Sequence, residues 1–383
     1  MATSASSGRR NDGERGVREL VLVGGGHSHV EVLRRFALDP PAGVRVVLVS
    51  PARYTPYSGM LPGLVAGHYA FRDAHIDLES LARFAKAAFL CDAAAALDPT
   101  AKTLRLASGR ETAYDVASID IGSTPVRAGI AGAKHAIAVK PVDAFLAHLD
   151  RLEALALEKR LGSIAVIGAG AAGVEILLAL QYRLSRTGHR TAFSVVADTP
   201  AILPGHRPKV RRIFERVLAE RGVTVYAGAG ARRIDRDGVE TADGTRIASD
   251  AVVLATGASP ASWPRDAGLA VDAHGFIRVG GTLQTFSHPD VFAAGDIASM
   301  DDHPRPKSGV YAVRQGPPLA ENLRAALAGR PLSRFVPQKD ALALISTGDR
   351  YAIASRGPFV LEGAWVWKWK DRIDRGFMAR YDV

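Results

Sequence analysis

The sequence predicts an α/β protein with two Rossmann-like dinucleotide-binding domains and a small C-terminal segment. A glycine-rich turn follows an apolar, strand-like run at two places, whose first glycines, Gly24 and Gly168, are 144 residues apart. Each turn leads into an apolar helical pattern. A chain of 383 residues is also long enough for two or three domains. One such turn alone is often a plain βα loop, but two in this context indicate two dinucleotide sites.

The first unit runs from an apolar strand at residues 19–23, through the glycine turn and a helical pattern ended by the Asp-Pro-Pro of residues 39–41, to a strand at 44–49. Its first glycine permits a tight turn, its second lets the backbone approach a pyrophosphate, and the helix N-terminus attracts the phosphate. His29 stands in the third glycine position, and Ser50 stands where an acid usually binds ribose. The cofactor-binding candidates here are Gly24, Gly26, His27, Ser28, Ser50 and Pro51.

The second unit has the full G-x-G-x-x-G spacing between a strand at 164–167 and a helix at 174–184. Asp198 lies just past the next strand, where a carboxylate accepts hydrogen bonds from a ribose diol and repels a 2′-phosphate. This acid favours NADH over NADPH, although Arg190 and Arg207 keep NADPH as the alternative. The candidates here are Gly168, Gly170, Ala171, Ala172, Gly173 and Asp198.

Three further segments, residues 120–123, 252–257 and 282–296, complete a family pattern. With them, the chain resembles the pyridine nucleotide-disulfide oxidoreductase superfamily, the flavoproteins with two dinucleotide-binding domains. The resemblance implies FAD and a nicotinamide dinucleotide as cofactors, and it implies that Asp296 bonds the ribityl chain of FAD. It adds as cofactor-binding candidates Gly122, Ser123, Thr256, Gly257, Gly295 and Asp296.

The same resemblance implies a domain order. The FAD-binding domain is expected to be discontinuous, at residues 18–140 and 262–330, with the NAD(P)H-binding domain inserted at 141–261. We expect residues 1–17 to be a disordered tail and residues 331–383 to be a separate C-terminal segment.

A narrower resemblance rests on residues 57–63 and 310–316, which look like those of type II NADH dehydrogenases. Together with residues 24–30 they resemble, more closely still, the flavoprotein module sometimes fused to selenide, water dikinase. The resemblance implies that Glu175 orients NADH, while the alternative is an acid that only stabilises its helix N-terminus. We expect the prolines of residues 317–318 in the first turn of a helix from Gln315 to Leu327, and Gln315 to donate to the flavin.

Arg53 is a candidate for the adenosine end of FAD, since its guanidinium could offset the missing acid beside Ser50. The alternative is a solvated arginine. The net charge of +10 favours anionic partners, but no nucleic-acid-binding motif accompanies it. No metal site is predicted.

Cys91 is the one cysteine. A redox dithiol, an intramolecular disulfide and a cysteine metal cluster are therefore excluded. The disulfide reductases of this superfamily need a cysteine pair, and one cysteine also argues against sulfide:quinone oxidoreductase chemistry. We expect Cys91 to be a small buried residue.

The C-terminal segment is aromatic and basic. Trp365, Trp367 and Trp369 alternate, which predicts one face of an extended segment, and Trp369, Ile373, Phe377 and Tyr381 then repeat every four residues, which predicts a helical face. The alternatives are contact with a membrane–water interface, a tail packed on the FAD domain, and a homodimer contact. We expect a cytoplasmic protein, with any membrane contact peripheral and on the inner face.

These observations predict an FAD-dependent NAD(P)H oxidoreductase that passes electrons to a small acceptor such as a quinone. Two alternatives stay open. One is a soluble flavoprotein reductase linked to selenium or sulfur metabolism, and the other is a flavin-binding sensor or scaffold without catalysis.

Overall fold

A computed structural model describes residues 16–383. Residues 1–15 of the tail predicted at 1–17 lie outside the described residues. The first core is a five-stranded parallel sheet whose apolar strands, apart from the edge strand Ala88–Cys91, are largely buried on both faces. Across this sheet the strands are Val291–Ala293, Val116–Ile119, Arg18–Val23, Val44–Ser50 and Ala88–Cys91. The first strand–turn–helix unit is confirmed, because the helix His27–Leu38 follows Arg18–Val23 directly and the two strands pair in parallel.

A second five-stranded parallel sheet repeats this plan. Its strands, in order, are Ile137–Ala138, Ala251–Leu254, Ser163–Ile167, Ala192–Val196 and Thr224–Tyr226. The helix Ala171–Ser185 follows the second glycine turn, which confirms the second unit. The two sheets give the predicted α/β class, while the domain boundaries stay predictions.

Smaller elements surround the two sheets. The remaining helices are Leu61–Val65, Leu78–Phe84, Val142–Leu157, Pro208–Glu220, Trp263–Asp266, Gly309–Leu327 and Ala364–Met378, with 3₁₀ turns at Arg72–Ala74, Ala133–His135 and Gly295–Ile297. Antiparallel three-stranded sheets are formed by Ala94–Asp98, Thr103–Leu106 and Glu111–Ala113, by Ala231–Asp235, Gly238–Thr241 and Arg246–Ala248, and by Ala343–Ser346, Ala352–Arg356 and Phe359–Gly363. Strand pairs are formed by Tyr54–Pro56 with His75–Asp77, Thr124–Pro125 with Ala258–Ser259, and Ile277–Val279 with Ala298–Met300.

The helix expected from Gln315 begins earlier, at Gly309, so its two prolines lie in the interior rather than in the first turn. Proline has the backbone φ of a helix but cannot donate to the preceding turn. Tertiary contacts hold this helix against His27–Leu38 nevertheless. The Ser28 hydroxyl donates to the Ala312 carbonyl at 2.8 Å, and a Cβ on Gly316 would lie 2.6 Å from the Cβ of Glu31.

The expected extended run of tryptophans is wrong, because all three lie in the helix Ala364–Met378, which we call the C-terminal helix. In a helix, residues two apart point in different directions. The four-residue repeat that begins at Trp369 is helical through Phe377, whereas Tyr381 lies beyond the helix end at Met378. The repeat is also split between two environments. Trp369 and Ile373 are exposed, whereas Phe377 and Tyr381 are buried.

Cys91 is exposed, which contradicts the expectation of a buried thiol. It ends the strand at the edge of the first sheet, where no other strand of the described part of the chain pairs with one side. Within residues 16–383, no helix is both long enough and apolar enough to cross a membrane.

Candidate active site

A cleft of about 2700 Å³ lies at the carboxyl ends of the strands of both parallel sheets. Both glycine turns open into it. Ligands of open parallel sheets bind beyond the carboxyl ends of the strands, where helix N-termini point. The cleft is therefore placed to receive two dinucleotides.

The first glycine turn is shaped by Asp120, which follows the strand Val116–Ile119. A Cβ on Gly24 would lie 2.3 Å from the Asp120 carbonyl oxygen, and one on Gly26 would lie 2.2 Å from its carboxylate. His29 replaces the third glycine of the fingerprint with a buried ring, whose Nδ1 and Nε2 atoms bond the Gly24 carbonyl at 2.7 Å and the Ser118 hydroxyl at 2.8 Å. Burial lowers the pKa of His29 to about 4, so the ring is neutral at pH 7.

The second glycine turn has the ordinary fingerprint. Gly168 has φ +108°, and a Cβ on Gly173 would lie 1.8 Å from the Gly168 carbonyl oxygen. A Cβ on Gly170 would meet nothing within 4 Å. The backbone at Gly170 is therefore open to a ligand in the cleft.

Most of the site residues expected from the sequence line this cleft. They are Gly24, Gly26, His27, Ser50, Pro51, Gly122, Ser123, Gly168, Gly170, Ala171, Ala172, Gly173, Glu175, Asp198, Thr256, Gly257 and Asp296.

Four expected residues, Ser28, Arg53, Gly295 and Gln315, do not line the cleft. Arg53 forms ion pairs with Asp77 at 2.7 Å and with Glu79 at 2.9 Å, so its guanidinium is already paired within the protein, and its contact with the adenosine end stays a prediction.

The side chain of Gln315 is used within the protein. Its Oε1 atom accepts the Gly295 N–H at 2.7 Å. Gln315 therefore shapes the turn that carries Asp296, and the flavin contact expected for it lacks geometric support. Gly295 itself packs below the cleft, because a Cβ there would lie 2.2 Å from the Asp120 carboxylate.

Four ionisable groups meet at the first glycine turn. The Asp120 carboxylate accepts the backbone N–H groups of Ser28 and His29, at 2.9 and 3.3 Å. Burial raises the pKa of Asp120 to about 7. Asp296 pairs with Lys140 at 3.2 Å. Burial lowers the pKa of His27 to about 4, and its Nε2 atom is buried without a hydrogen-bond partner within residues 16–383.

A second ionisable cluster lies where the C-terminal helix lines the cleft. Lys370 forms an ion pair with Asp374 and donates to the Gly59 carbonyl. Asp374 and Glu175, the two acids near Lys370, both lie in the cleft wall. Burial raises the pKa of Glu175, and the Lys370 ammonium opposes that rise. Tyr57 stacks on Phe377 with ring centroids 4.3 Å apart.

Sequence reasoning missed Asp120, Lys140, Lys370 and Asp374 as site residues. Asp120 had a local signal, since it directly follows a buried strand. Lys370 and Asp374 are four residues apart, the spacing of an ion pair on one helical face. Lys140 had no local signal, because only the folded chain brings it to Asp296.

These features fit FAD at the first turn and a nicotinamide dinucleotide at the second. The glycines leave room for a close backbone approach, and His27, whose buried Nε2 atom has no hydrogen-bond partner among the described residues, lines the same cleft. Among the described residues, no group of three or more metal-ligating side chains is arranged to hold a metal ion.

Comparison with protein families gives a match to the model of the pyridine nucleotide-disulphide oxidoreductases over residues 18–316. Membership of this family implies binding of FAD and NADH.

Several of the curated relatives are named as NADH dehydrogenase-like proteins or NADH:quinone oxidoreductases. The type II NADH:quinone oxidoreductase Ndh of Mycobacterium tuberculosis is 29% identical over 228 residues, which are 54% of this chain and 49% of the relative. The NADH dehydrogenase-like protein YutJ of Bacillus subtilis is 22% identical over 370 residues, 92% of this chain and 99% of the relative. The chain spans about half the length of several other curated relatives that it matches.

The solved structures that share the fold include two with a TM-score of 0.80. The sulfide:quinone oxidoreductase of Aquifex aeolicus superposes with a TM-score of 0.80 at 20% identity, over 95% of this chain and 91% of that one. NDH2 of Plasmodium falciparum, solved in complex with NADH, also gives 0.80 at 14% identity, over 94% and 97%. At such identities the likeness concerns the fold alone.

Proposed function

The chain belongs to the pyridine nucleotide-disulphide oxidoreductase family, and on that premise we propose that it is an FAD-dependent NAD(P)H oxidoreductase that passes electrons from NADH to a quinone-like acceptor. The single observation that carries the proposal is geometric. Two glycine turns, one from each parallel sheet, open into one shared cleft. Two cofactors bound there would lie within reach of each other.

Bound FAD would supply the redox chemistry, accepting a hydride from NADH and giving electrons to the acceptor. The protein orients the reactants and excludes water. Asp198 lies in the cleft wall beyond the strand Ala192–Val196, and we assign it the hydrogen bonds from an adenosine ribose. Glu175, two residues beyond Gly173, also lines the cleft, and we assign it the role of orienting the nicotinamide.

We assign the acceptor to the part of the cleft lined by Tyr57 and the C-terminal helix. Ile373 and Phe377 offer apolar surface there, and Lys370 and Asp374 add polar groups in a buried setting. A flat, weakly polar ring with carbonyl oxygens, as in a quinone, matches this chemistry. The name of the Ndh relative supports the same acceptor class.

The test is anaerobic titration of the purified holoprotein with NADH, followed by its visible flavin absorption. Bleaching by NADH, reversed on addition of a soluble quinone, is the expected result. A yellow protein that neither NADH nor NADPH bleaches would overturn the proposal and favour a flavin-binding sensor or scaffold. Bleaching that quinones do not reverse would retain the dehydrogenase half and reject the acceptor.

The C-terminal segment also supports peripheral contact with an anionic membrane. Trp365, Trp369 and Ile373 lie along one exposed helical stripe, with 53%, 38% and 41% of their surfaces accessible. Lys368 and Arg372 are exposed on the same helix. Aromatic and basic side chains together suit a membrane–water interface. A lipid-soluble quinone would then enter beside the helix that lines the acceptor site.

The link to selenium or sulfur metabolism stays a prediction. No contact among the described residues favours it over a quinone acceptor.

A further inference from the structure

Asp120 occupies the position where the FAD pyrophosphate would be attracted. Its carboxylate accepts the N–H groups of Ser28 and His29, in the first turn of the helix His27–Leu38. Free N–H groups at such a helix start are the usual donors to a dinucleotide phosphate. The Asp120 carboxylate therefore occupies two backbone N–H donors that would otherwise be free to bind a phosphate.

The surrounding chain is built around this carboxyl group. Gly26 and Gly295, from different loops, both pack directly against the Asp120 carboxylate. A Cβ on either glycine would lie 2.2 Å from it, so only glycine fits at these positions. Asp120 is 2% exposed and lines the cleft. The group is thus fixed in place, with no room to turn away when an anion arrives.

The negative charges at this position exceed the positive ones. Asp120 and Asp296 both face the site, and Asp296 pairs with the Lys140 ammonium at 3.2 Å. The Lys307 ammonium is shared between Asp272 and Asp296 and donates to the Ala298 carbonyl, so it too is already neutralised by acids of the protein. The other titratable neighbours, His27 and His29, have pKa values lowered by burial to about 4 and are neutral near pH 7. A helix N-terminus contributes only about half a positive charge. An FAD pyrophosphate would add two negative charges to this set.

We propose that Asp120 is protonated when FAD is bound, so that FAD binding takes up one proton from solvent and weakens as the pH rises. The proton removes one of the competing negative charges and converts one carboxylate oxygen of Asp120 into a donor toward the phosphate. No bond to FAD forms and no electron moves. The inference rests on the proposed FAD site.

Burial already raises the pKa of Asp120 to about 7 in the free protein. Below this pH the site is protonated before FAD arrives, so the affinity should be constant. Above it, each binding event must also take up a proton, and the dissociation constant should rise toward tenfold per pH unit by linkage. Between pH 6 and 8.5 the expected rise is about 30-fold.

The test is dilution of the holoprotein at pH 6–9, with released FAD read from its fluorescence. The wild-type dissociation constant should rise as stated, and that of Asp120→Asn should change by less than about twofold. The asparagine keeps the acceptor for Ser28 and His29 and cannot ionise. Asp296→Asn is the matched control, which should keep the pH slope but shift its onset to lower pH, because the Asp296 charge helps to raise the pKa of Asp120.

A second measurement does not depend on a variant that binds FAD. The infrared spectrum of the wild-type holoprotein at pH 8 should contain the carbonyl band of a buried protonated carboxylic acid, shifted in heavy water and missing from Asp120→Asn. A wild-type dissociation constant that is flat from pH 6 to 8.5, or the lack of this band, overturns the inference. Failure to bind FAD at any pH would instead overturn the cofactor assignment itself.

Discussion

The backbone N–H and the hydroxyl of Ser346 both donate to the Oε1 atom of Glu175, at 2.7 and 3.0 Å. Glu175 lies on the helix of the second glycine turn, and Ser346 ends a strand of the C-terminal sheet. This contact joins the nicotinamide side of the cleft to the C-terminal segment and fixes the orientation of the Glu175 carboxylate.

We expect Glu175→Gln to slow flavin reduction by NADH about tenfold, equivalent to about 1.4 kcal/mol in the barrier. The amide retains the acceptor for Ser346 but removes the charge that faces Lys370. Stopped-flow absorption under anaerobic conditions measures the rate. Glu158→Gln, at an exposed position paired with Arg160, is the control and should be neutral. Equal rates for the two variants would remove Glu175 from the reaction.

Asp198→Asn should weaken the preference for NADH over NADPH. The substitution removes a charged ribose acceptor and the repulsion of a 2′-phosphate, while Arg207 remains in the cleft wall. We expect the ratio of kcat/KM values for NADH and NADPH to fall by about 10- to 100-fold. Steady-state kinetics with both nucleotides measures the ratio, with Asp237→Asn as an exposed control. An unchanged ratio would show that Asp198 does not contact the ribose.

Removing one member of the buried Lys370–Asp374 ion pair should destabilise the protein more than removing both members. Lys370→Met leaves a buried carboxylate without its partner and should lower the free energy of unfolding by about 3 kcal/mol. The double variant Lys370→Met with Asp374→Leu should recover most of that loss, since neither charge is then buried. Denaturant unfolding at saturating FAD gives both values. A double variant as unstable as the single one would argue against the electrostatic explanation.

His29 should make the protein sensitive to mild acid. Its pKa is about 4 in the folded protein because of burial, against about 6.5 when unfolded. The unfolded chain therefore binds more protons between these values, and the stability that neutral His29 provides is lost as the pH falls. The stability advantage of the wild type over His29→Gln should shrink by about 2 kcal/mol between pH 7 and pH 5. Unfolding curves of both proteins at each pH test this, and a constant difference would contradict a buried neutral ring.

Replacing Trp365 and Trp369 by serine should weaken binding to vesicles that contain phosphatidylglycerol, by about tenfold. Co-sedimentation measures the bound fraction. Leu38→Ser with Leu157→Ser, two other exposed apolar positions, is the matched control and should bind normally. Sedimentation velocity without lipid tests the competing homodimer. A dimer that the tryptophan variant disrupts, with no vesicle binding by the wild type, would assign the stripe to a second copy of the chain.

Much of the fold could be predicted because its signals are local. The strand at residues 19–23, the turn at Gly24 and the following helix each depend on residues a few positions apart, as do their counterparts around Gly168. Periodicity was a weaker guide in the C-terminal segment. Alternating tryptophans suit a strand, but the buried positions Val366, Lys370 and Phe377 show that packing selected a helix.

The sequence by itself determined the two parallel sheets, both glycine turns and the exclusion of cysteine-pair chemistry, since these follow from short motifs and from one residue count. Only the tertiary structure decided which side chains remain free for a ligand. Arg53 and Gln315 are chemically suited to bind a cofactor, yet folding pairs them with Asp77 and Gly295. Glu175 and Ser346 are 171 positions apart. Such contacts depend on the packing of distant elements, which no local pattern encodes.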